Sequence, residues 1–179
     1  MHSMMINNIK NIRISSRTLA EWGTFITALI TCFAVFIAWG QLKAANEQLA
    51  QGNEQKKWQN YNELNVRYAE LYEELPPVIL KGEKLRFDDL KAEEKRWVRQ
   101  YFDLYSEELW LYENDLIPAE MWTKRIHCGV RVNLKTYPAL IDGYYYWKGK
   151  GSFSHPKSFK AEVENAISFA RSDKVCKVE

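Results

Sequence analysis

The sequence contains little of what marks several large classes of protein. Its 179 residues include 3 cysteines, 5 prolines and 8 glycines. So few cysteines exclude a disulfide framework, and so few prolines and glycines exclude a collagen-like or disordered chain. Lys and Arg total 25 against 23 Asp and Glu, so a net charge of +2 gives no general reason to expect nucleic acid as a partner. The length suits a single domain of ordinary size.

Catalytic and cofactor-binding motifs are also missing. The sequence has no Walker loop, dinucleotide-binding fingerprint, HExxH or CxxC. Residues 148–152 (KGKGS) lack the GKS/T spacing and the preceding strand of a phosphate loop, so we predict a surface connection. His127 and Cys128 diverge by about 100° on a helix, which places one in the core and the other at its edge. We predict no catalytic residue, cofactor or metal site, since no ligand spacing links His127, Cys128, His155 and Cys176.

Four pairs of acidic neighbours and one aromatic run are assigned structural roles. Neighbours on one helix do not face each other, so the acidic pairs are predicted to lie on solvated helix faces and at caps. A helix distributes the four rings of residues 144–147 all round, so packing or contact with a partner is predicted rather than stacking on single-stranded nucleic acid. The acidic pairs are Glu73 and Glu74, Asp88 and Asp89, Glu93 and Glu94, and Glu107 and Glu108.

One long apolar segment stands out against the negative mean hydropathy of −0.44. Residues 22–41 contain no charged side chain, and the flanking charges are Glu21 and Lys43. About 20 residues at a rise of about 1.5 Å span about 30 Å, which matches the hydrocarbon core of a bilayer. Trp22 and Trp39 bracket the segment, as aromatic residues at membrane interfaces do. The sequence therefore predicts a transmembrane helix over residues 22–41, with the lipid bilayer as a partner.

The alternatives to a transmembrane helix are a buried core helix and a cleaved signal peptide. A core helix seldom runs this long without a charge. A signal peptide is suggested by Lys10, Arg13 and Arg17 ahead of the segment and by small residues at positions 38 and 40. However, the apolar run exceeds the roughly 7–15 residues of a signal peptide's central region. We therefore expect an uncleaved anchor in a bacterial inner membrane.

The orientation of the anchor depends on opposing features. Three basic residues before the segment lie closer to it than most of those that follow, which favours an N-terminus in the cytoplasm. They are Lys10, Arg13 and Arg17. Three cysteines suit a reducing compartment, although a single Cys128–Cys176 disulfide would form in the periplasm. These features leave both orientations open, and the cysteines favour a cytoplasmic soluble domain.

Small residues recur through the apolar segment at alternating steps of four and three, and the same phase continues beyond it. In a bilayer small residues permit close approach of helices, and outside it the same repeat forms a coiled-coil seam. This pattern predicts a homo-oligomer. The alternative is that the threonines bond their own backbone. The oligomer seam consists of Thr24, Ala28, Thr31, Val35, Ala38, Leu42, Ala45 and Leu49.

The rest of the chain predicts an all-α domain. A juxtamembrane helix is expected over residues 42–75 with a break near Gly52 and Asn53, and Pro76 and Pro77 end it. Its second half has a new apolar face, expected to pack on its own domain, and a helical bundle is predicted over residues 76–171. The face comprises Tyr61, Leu64, Tyr68, Leu71 and Leu75.

The bundle is predicted to contain four helices, with no run of alternating strand residues. After a loop at about 81–87, the first begins at an Asp88 or Asp89 cap and ends near Glu113, with Trp97, Val98, Tyr101, Phe102, Tyr105, Leu109 and Tyr112 on its apolar face. The second follows Pro118, with Trp122, Ile126, Val130 and Leu134 inward, and the third runs from Pro138 to Trp147. The last begins at Pro156, with Phe159, Val163, Ile167 and Ala170 inward. Tails are assigned to residues 1–21 and 172–179.

Several of these segments resemble a family of small uncharacterised bacterial proteins. The similar segments are QLK after the apolar span, RYAELY at residues 67–72 with the prolines beyond it, RQYFDLYSEE at 99–108 and LIPAEMW at 116–122. The resemblance implies one N-terminal transmembrane helix, a helical domain of unknown function and a cytoplasmic location for that domain. In contrast to the family's usual short N-terminal tail, this chain has a longer, basic one.

We expect a non-enzymatic, membrane-anchored helical protein that acts by self-association or by docking a protein partner. One alternative is a membrane-acting effector or accessory protein of a bacterial defence or mobile-element system, in which assembled spans perturb the bilayer. The other is an enzyme built from dispersed residues.

Overall fold

The computed structural model describes residues 16–80, 87–172 and 176, and this part of the chain is all-helical, as predicted. Residues 1–15 of the predicted basic tail, the loop at 81–86 and most of the predicted C-terminal tail lie outside the described residues. The chain forms two compact units, Met1–Ala50 and Gln51–Glu179. The helices are α1 (Ser16–Glu73), α2 (Pro77–Leu80), α3 (Ala92–Glu113), α4 (Ala119–Met121), α5 (His127–Thr136), α6 (Pro138–Gly149) and α7 (Phe159–Ala170), with a 3-10 turn at Phe87–Asp89 and a π turn at Trp122–Ile126.

The described part of the first unit is the beginning of α1. All of its residues from 21 to 50 are exposed, including the apolar ones. By its length and composition this helix is able to cross a membrane. The large apolar side chains of this stretch therefore have no cover within the described protein.

The predicted break near Gly52 and Asn53 is wrong, because α1 continues through both residues. A glycine inside a helix costs only about 1 kcal/mol relative to alanine. The neighbouring alanine, glutamine and glutamate residues are good helix formers and keep the backbone helical. An interruption of the apolar pattern therefore does not interrupt the helix.

The second unit includes the last part of α1, from residue 51 to Glu73. Tyr61, Leu64 and Leu71 are buried in its core, with Tyr68 and Leu75 packed beside them. The prediction that this apolar face packs on its own domain is confirmed. The helix ends just before Pro76 and Pro77, as expected from proline's missing N–H.

Helix α3 supplies the largest group of buried side chains in the second unit. Tyr101, Phe102 and Tyr105 have no exposed surface, and every residue of the predicted face is buried except the half-buried Tyr112. The helix begins at Ala92, so the predicted cap at Asp88 or Asp89 is wrong. Instead those residues belong to the 3-10 turn, and the Glu94 carboxylate accepts the backbone N–H of Lys91 at 2.7 Å.

The remaining helices follow the predicted order. Pro118 immediately precedes α4, and Pro138 opens α6. The last helix begins at Phe159 rather than at Pro156, since a turn links the two residues through the Phe159 N–H and the Pro156 carbonyl. Helix α6 lies close to α3 and to the 3-10 turn at Gly143, which has no side chain. A Cβ at this position would overlap Val98 of α3 and would lie 2.7 Å from Cε2 of Phe87 in the turn. All four residues predicted inward on the last helix are buried.

Candidate functional site

A pocket of about 190 Å³ opens in the second unit, called the helical domain below, between α1, α3, the π turn and α5. Its wall combines phenol rings, one carboxyl group, two amides and one guanidinium group, together with a few apolar or small residues. The polar and aromatic lining consists of Tyr61, Tyr68, Tyr72, Tyr101, Glu108, Asn65, Asn133 and Arg125.

Helical spacing places these residues on common faces. Tyr61 and Tyr68 are seven residues apart on α1, and Tyr72 follows after four more. Tyr101 and Glu108 are likewise seven residues apart, on α3. Steps of seven and four return to the same side of an α-helix. The pocket therefore lies where two tyrosine-bearing faces meet.

Glu108 is the charged residue at the inner wall of the pocket, and it is only 2% exposed. The Tyr68 hydroxyl donates a hydrogen bond to Glu108 Oε2 at 2.7 Å. Burial raises the pKa of Glu108 to about 8, against the opposing effect of this hydrogen bond. Glu107 also raises the pKa of Glu108, whereas Arg67 lowers it. The carboxyl group thus changes its protonation state near neutral pH.

The prediction that Glu107 and Glu108 both lie on a solvated face is wrong for Glu108. Glu107 is partly exposed and pairs with Arg67 at 2.7 Å. Glu108 is turned about 100° from it, on the stripe of Tyr101, Tyr105 and Tyr112. The signal was therefore present in the sequence, since Glu108 continues this aromatic stripe at helical steps of four and three.

Asn133 connects the two tyrosine-bearing faces. Its side-chain amide donates hydrogen bonds to the hydroxyl oxygens of Tyr72 at 2.6 Å and of Tyr101 at 3.1 Å. Burial raises the pKa of Tyr72 to about 12 and the pKa values of Tyr68 and Tyr101 well above their usual range. The three phenols therefore remain neutral at physiological pH.

The rings of the pocket lie in two orientations. Tyr68 and Tyr72 are stacked at 29°, with their centroids 6.3 Å apart. The Tyr101 ring stands at 73° to that of Tyr68, also at 6.3 Å. The buried Trp97 indole connects the two helices behind these rings. Its N–H donates a hydrogen bond to the Leu71 carbonyl at 2.7 Å, and its ring stacks on Tyr101.

A second group of polar side chains surrounds His127, which does not line the pocket. His127 Nδ1 lies 3.2 Å from Glu162 Oε1, and the Tyr105 hydroxyl donates to the same oxygen at 3.3 Å. Burial lowers the pKa of His127, against the opposing effect of Glu162. His127 Nε2 and Arg131 Nε are buried without a hydrogen-bond partner among the described residues. In the described part of the chain no group of three or more His, Cys, Asp and Glu is placed to hold a metal ion.

Cys128 is buried, whereas His127 lies at the edge of the core, as the adjacent positions predicted. Cys128 forms a disulfide with Cys176, and their Cα atoms are 5.8 Å apart. The disulfide joins α5 to the C-terminal segment across 48 residues. Cys32 is a free, exposed cysteine on α1.

The aromatic run at residues 144–147 is divided between core and surface, as predicted. Tyr144 is fully buried, whereas Tyr145 is 43% exposed. Tyr146 packs on Phe87, and the Arg99 guanidinium lies 5.0 Å from the Trp147 ring centroid.

The residues of the predicted oligomer seam all lie on the exposed part of α1, and so do Trp22 and Trp39. The Thr31 hydroxyl donates to the Thr27 carbonyl at 2.8 Å, and the Thr27 hydroxyl donates to that of Gly23 at 2.9 Å. Both threonines therefore bond the backbone of their own helix, which is the alternative that the sequence offers to an oligomer seam. The seam residues belong to the first unit and the pocket residues to the second.

Comparisons with protein-family models, with curated proteins and with solved structures find no match to this chain.

The buried carboxyl group predicts an unusual pH dependence of stability. The folded-state pKa of Glu108, about 8, exceeds the ordinary value of 4.5 for a glutamate. Between these values the folded state binds more protons than the unfolded state, so the free energy of unfolding falls as the pH rises. Across this window the parent chain should lose roughly 3–5 kcal/mol of its free energy of unfolding, and Glu108→Gln should lack this loss. Urea unfolding of the full chain in maltoside micelles at pH 5 to 9 measures it.

The matched control is Glu107→Gln, which changes the adjacent, partly exposed carboxylate. It removes an ion pair worth only about 0–1 kcal/mol and should retain the slope of the parent chain. Titration of His127 affects all three proteins alike and cancels in the comparison. If the Glu108→Gln variant loses as much stability between pH 5 and 8 as the parent chain, Glu108 is not buried as a protonated group.

Proposed function

We propose that this protein is a non-enzymatic, membrane-anchored helical protein that acts by self-association or by docking a protein partner on its helical domain. The anchor is residues 22–41 of α1, in a bacterial inner membrane. The single observation that carries the proposal is the uncovered apolar surface of this helix. Ten large apolar side chains from Trp22 to Trp39 are exposed, and no charged residue interrupts them.

Water is a poor environment for this surface. Covering one large apolar side chain stabilises a protein by roughly 1.5–3 kcal/mol, so ten such side chains require a cover. A bilayer fits best, because an uncharged helix of about 20 residues matches its hydrocarbon thickness of about 30 Å. The indoles of Trp22 and Trp39 suit the two interfaces.

Self-association is supported by the alanines of the seam rather than by its threonines. Ala28 and Ala38 leave room for the backbone of a second helix to approach. Hydrogen bonding by Thr31 is satisfied within its own helix, so this residue adds no requirement for a partner. We propose that the seam brings copies of α1 together in the bilayer through close packing of small residues.

The helical domain is proposed to lie on the oxidising side of the membrane, in contrast to the expectation from the sequence. The Cys128–Cys176 disulfide favours this side, since disulfides persist in oxidising compartments. The basic residues close before the anchor favour a cytoplasmic N-terminus, and a single span then places the helical domain on the opposite, oxidising side. These residues are Lys10, Arg13 and Arg17.

Membrane fractionation tests the anchor. We expect the intact 21.1 kDa chain to stay in the membrane pellet after alkaline carbonate washing. The double variant Leu29→Arg/Phe33→Arg should leave the pellet, because each central arginine costs roughly 2.5–3.5 kcal/mol on the insertion scale. Val66→Arg, on the exposed face of the helical domain, is the control and should stay. Release of the parent chain by the wash, or a mass reduced by cleavage after residue 40, would contradict the proposal.

Oxidative cross-linking tests the seam. In a Cys32→Ser background, Ala28→Cys and Ala38→Cys should each give disulfide-linked dimers in membranes. Phe33→Cys is the control, because it lies on the opposite side of the same helix. Monomers at both alanine positions, or equal dimer formation at Phe33, would refute self-association along this face.

Thiol counting tests the location of the helical domain. After acid quenching and denaturation, a polyethylene-glycol maleimide should add once to the parent chain without reductant, at Cys32, and three times with reductant. Cys128→Ser is the control and should give two adducts without reductant, because Cys176 becomes free. Three adducts on the parent chain before reduction would place the domain in a reducing compartment.

A further inference from the structure

The pocket between α1 and α3 has the features of a site for a positively charged ligand. We propose that it binds the ammonium group of a small organic cation, with Glu108 as the counter-charge and the partly exposed rings of Tyr68 and Tyr72 as its aromatic wall. This inference goes beyond the anchoring function and does not depend on it, since every residue involved belongs to the helical domain.

The size of the pocket restricts the ligand. A pocket of about 190 Å³ has room for several water molecules. An alkylammonium group with a few carbon substituents suits this space. The ligand is thus a small ammonium compound or the ammonium end of a larger molecule.

Aromatic rings are the first attraction for such a group. The face of an aromatic ring carries negative potential and attracts cations, most strongly where water is excluded. Tyr68 and Tyr72 are partly exposed and form one wall with nearly parallel rings, and the buried Tyr101 ring supports Tyr68 at an angle of 73°. Their phenols stay neutral at physiological pH, so they attract a cation without being titrated.

The buried carboxyl group is the second attraction. An ionised carboxylate that is 2% exposed needs a nearby positive charge to offset its lost hydration. Arg67 is engaged by Glu107 at 2.7 Å, and Arg125 is an exposed residue of the pocket wall. An ammonium group inside the pocket would supply the charge that these two side chains do not bring into it.

An anionic ligand fits the same wall less well. It would face the Glu108 carboxyl group and the negative potential of the Tyr68 and Tyr72 rings. Its attraction would come from Arg125, an exposed side chain whose charge is screened by water. The charge of the ligand therefore distinguishes the two possibilities experimentally.

Binding is measured by titration calorimetry on the full chain in maltoside micelles at pH 8.5. Choline is compared with 3,3-dimethyl-1-butanol, its neutral isostere, and with acetate. We expect saturable binding of choline, binding at least tenfold weaker for the neutral isostere, and none for acetate. Equal binding of the isostere, preference for acetate, or no saturable binding of choline, tetramethylammonium and ethanolamine at tens of millimolar would overturn the proposal.

Variants assign the effect to the pocket. Glu108→Gln should weaken choline binding at least tenfold, because it removes the counter-charge and keeps the shape of the side chain. Glu107→Gln, the adjacent control, should change affinity less than threefold. Arg125→Gln should leave the affinity unchanged or increase it, whereas an anion site would lose affinity. Unchanged choline binding in Glu108→Gln, with the variant folded by circular dichroism, would refute the assignment.

The pH dependence gives an independent readout. Choline affinity should fall about tenfold per pH unit below about 8, as Glu108 becomes protonated, and Glu108→Gln should lack this dependence. A slope that persists in Glu108→Gln would argue against the proposal. The charged or titratable groups near Glu108 are Arg67, Tyr68 and Tyr72 of α1, Tyr101, Tyr105 and Glu107 of α3, and Arg125 of the π turn.

Vesicles distinguish the source of the ammonium group. The full chain is reconstituted in phosphatidylglycerol vesicles with or without phosphatidylcholine, and soluble choline is titrated. Weaker choline binding in the presence of phosphatidylcholine supports a lipid headgroup as the ligand, whereas equal binding supports a free small cation. The anchor can fail its fractionation test while choline still binds, and the reverse also holds, so the two proposals are refuted separately.

Discussion

A carboxyl group enclosed between helices loses its hydration, and the contact between α1 and α3 is arranged around one such group, Glu108. Burial favours its neutral form, and the Tyr68 hydroxyl supplies a hydrogen bond from the opposite helix. Next to it, Arg67 reaches back from α1 to Glu107, which keeps the adjacent charge at the surface. One polar pair is thus buried and the neighbouring pair stays partly solvated, which fixes how the two helices are rotated against each other.

The positions of most helices could be predicted from the sequence because their limits are set locally. Pro76, Pro118 and Pro138 restrict the backbone of their own neighbourhood, so they mark helix boundaries without reference to the rest of the chain. The error at Gly52 has a physical reason. A glycine weakens a helix by an amount that good helix formers on both sides can offset, so its presence alone does not define an end.

The pocket could not be predicted, because its parts are far apart in the sequence. Tyr68 and Glu108 are separated by 40 residues, and Asn133 reaches Tyr72 across 61. Helical periodicity shows which side of a helix is apolar, but it does not show which apolar sides meet. Glu108 was misjudged for a related reason. Its residue type suggests solvent, whereas its position continues a stripe of buried tyrosines, and position decides burial once the helices are packed.

The chemistry of the lining residues supports the proposed ammonium site at the pocket. Glu108 has a pKa near neutrality, as a general acid or base would. However, among the described residues that line the pocket there is no serine, cysteine, lysine or histidine to share a reaction with it. Its phenols have raised pKa values and are therefore poor nucleophiles at neutral pH. His127 and Glu162 pair with each other away from the pocket wall. The Glu108 carboxyl group and the tyrosine rings beside it are thus the groups on which the proposed recognition of an ammonium group rests.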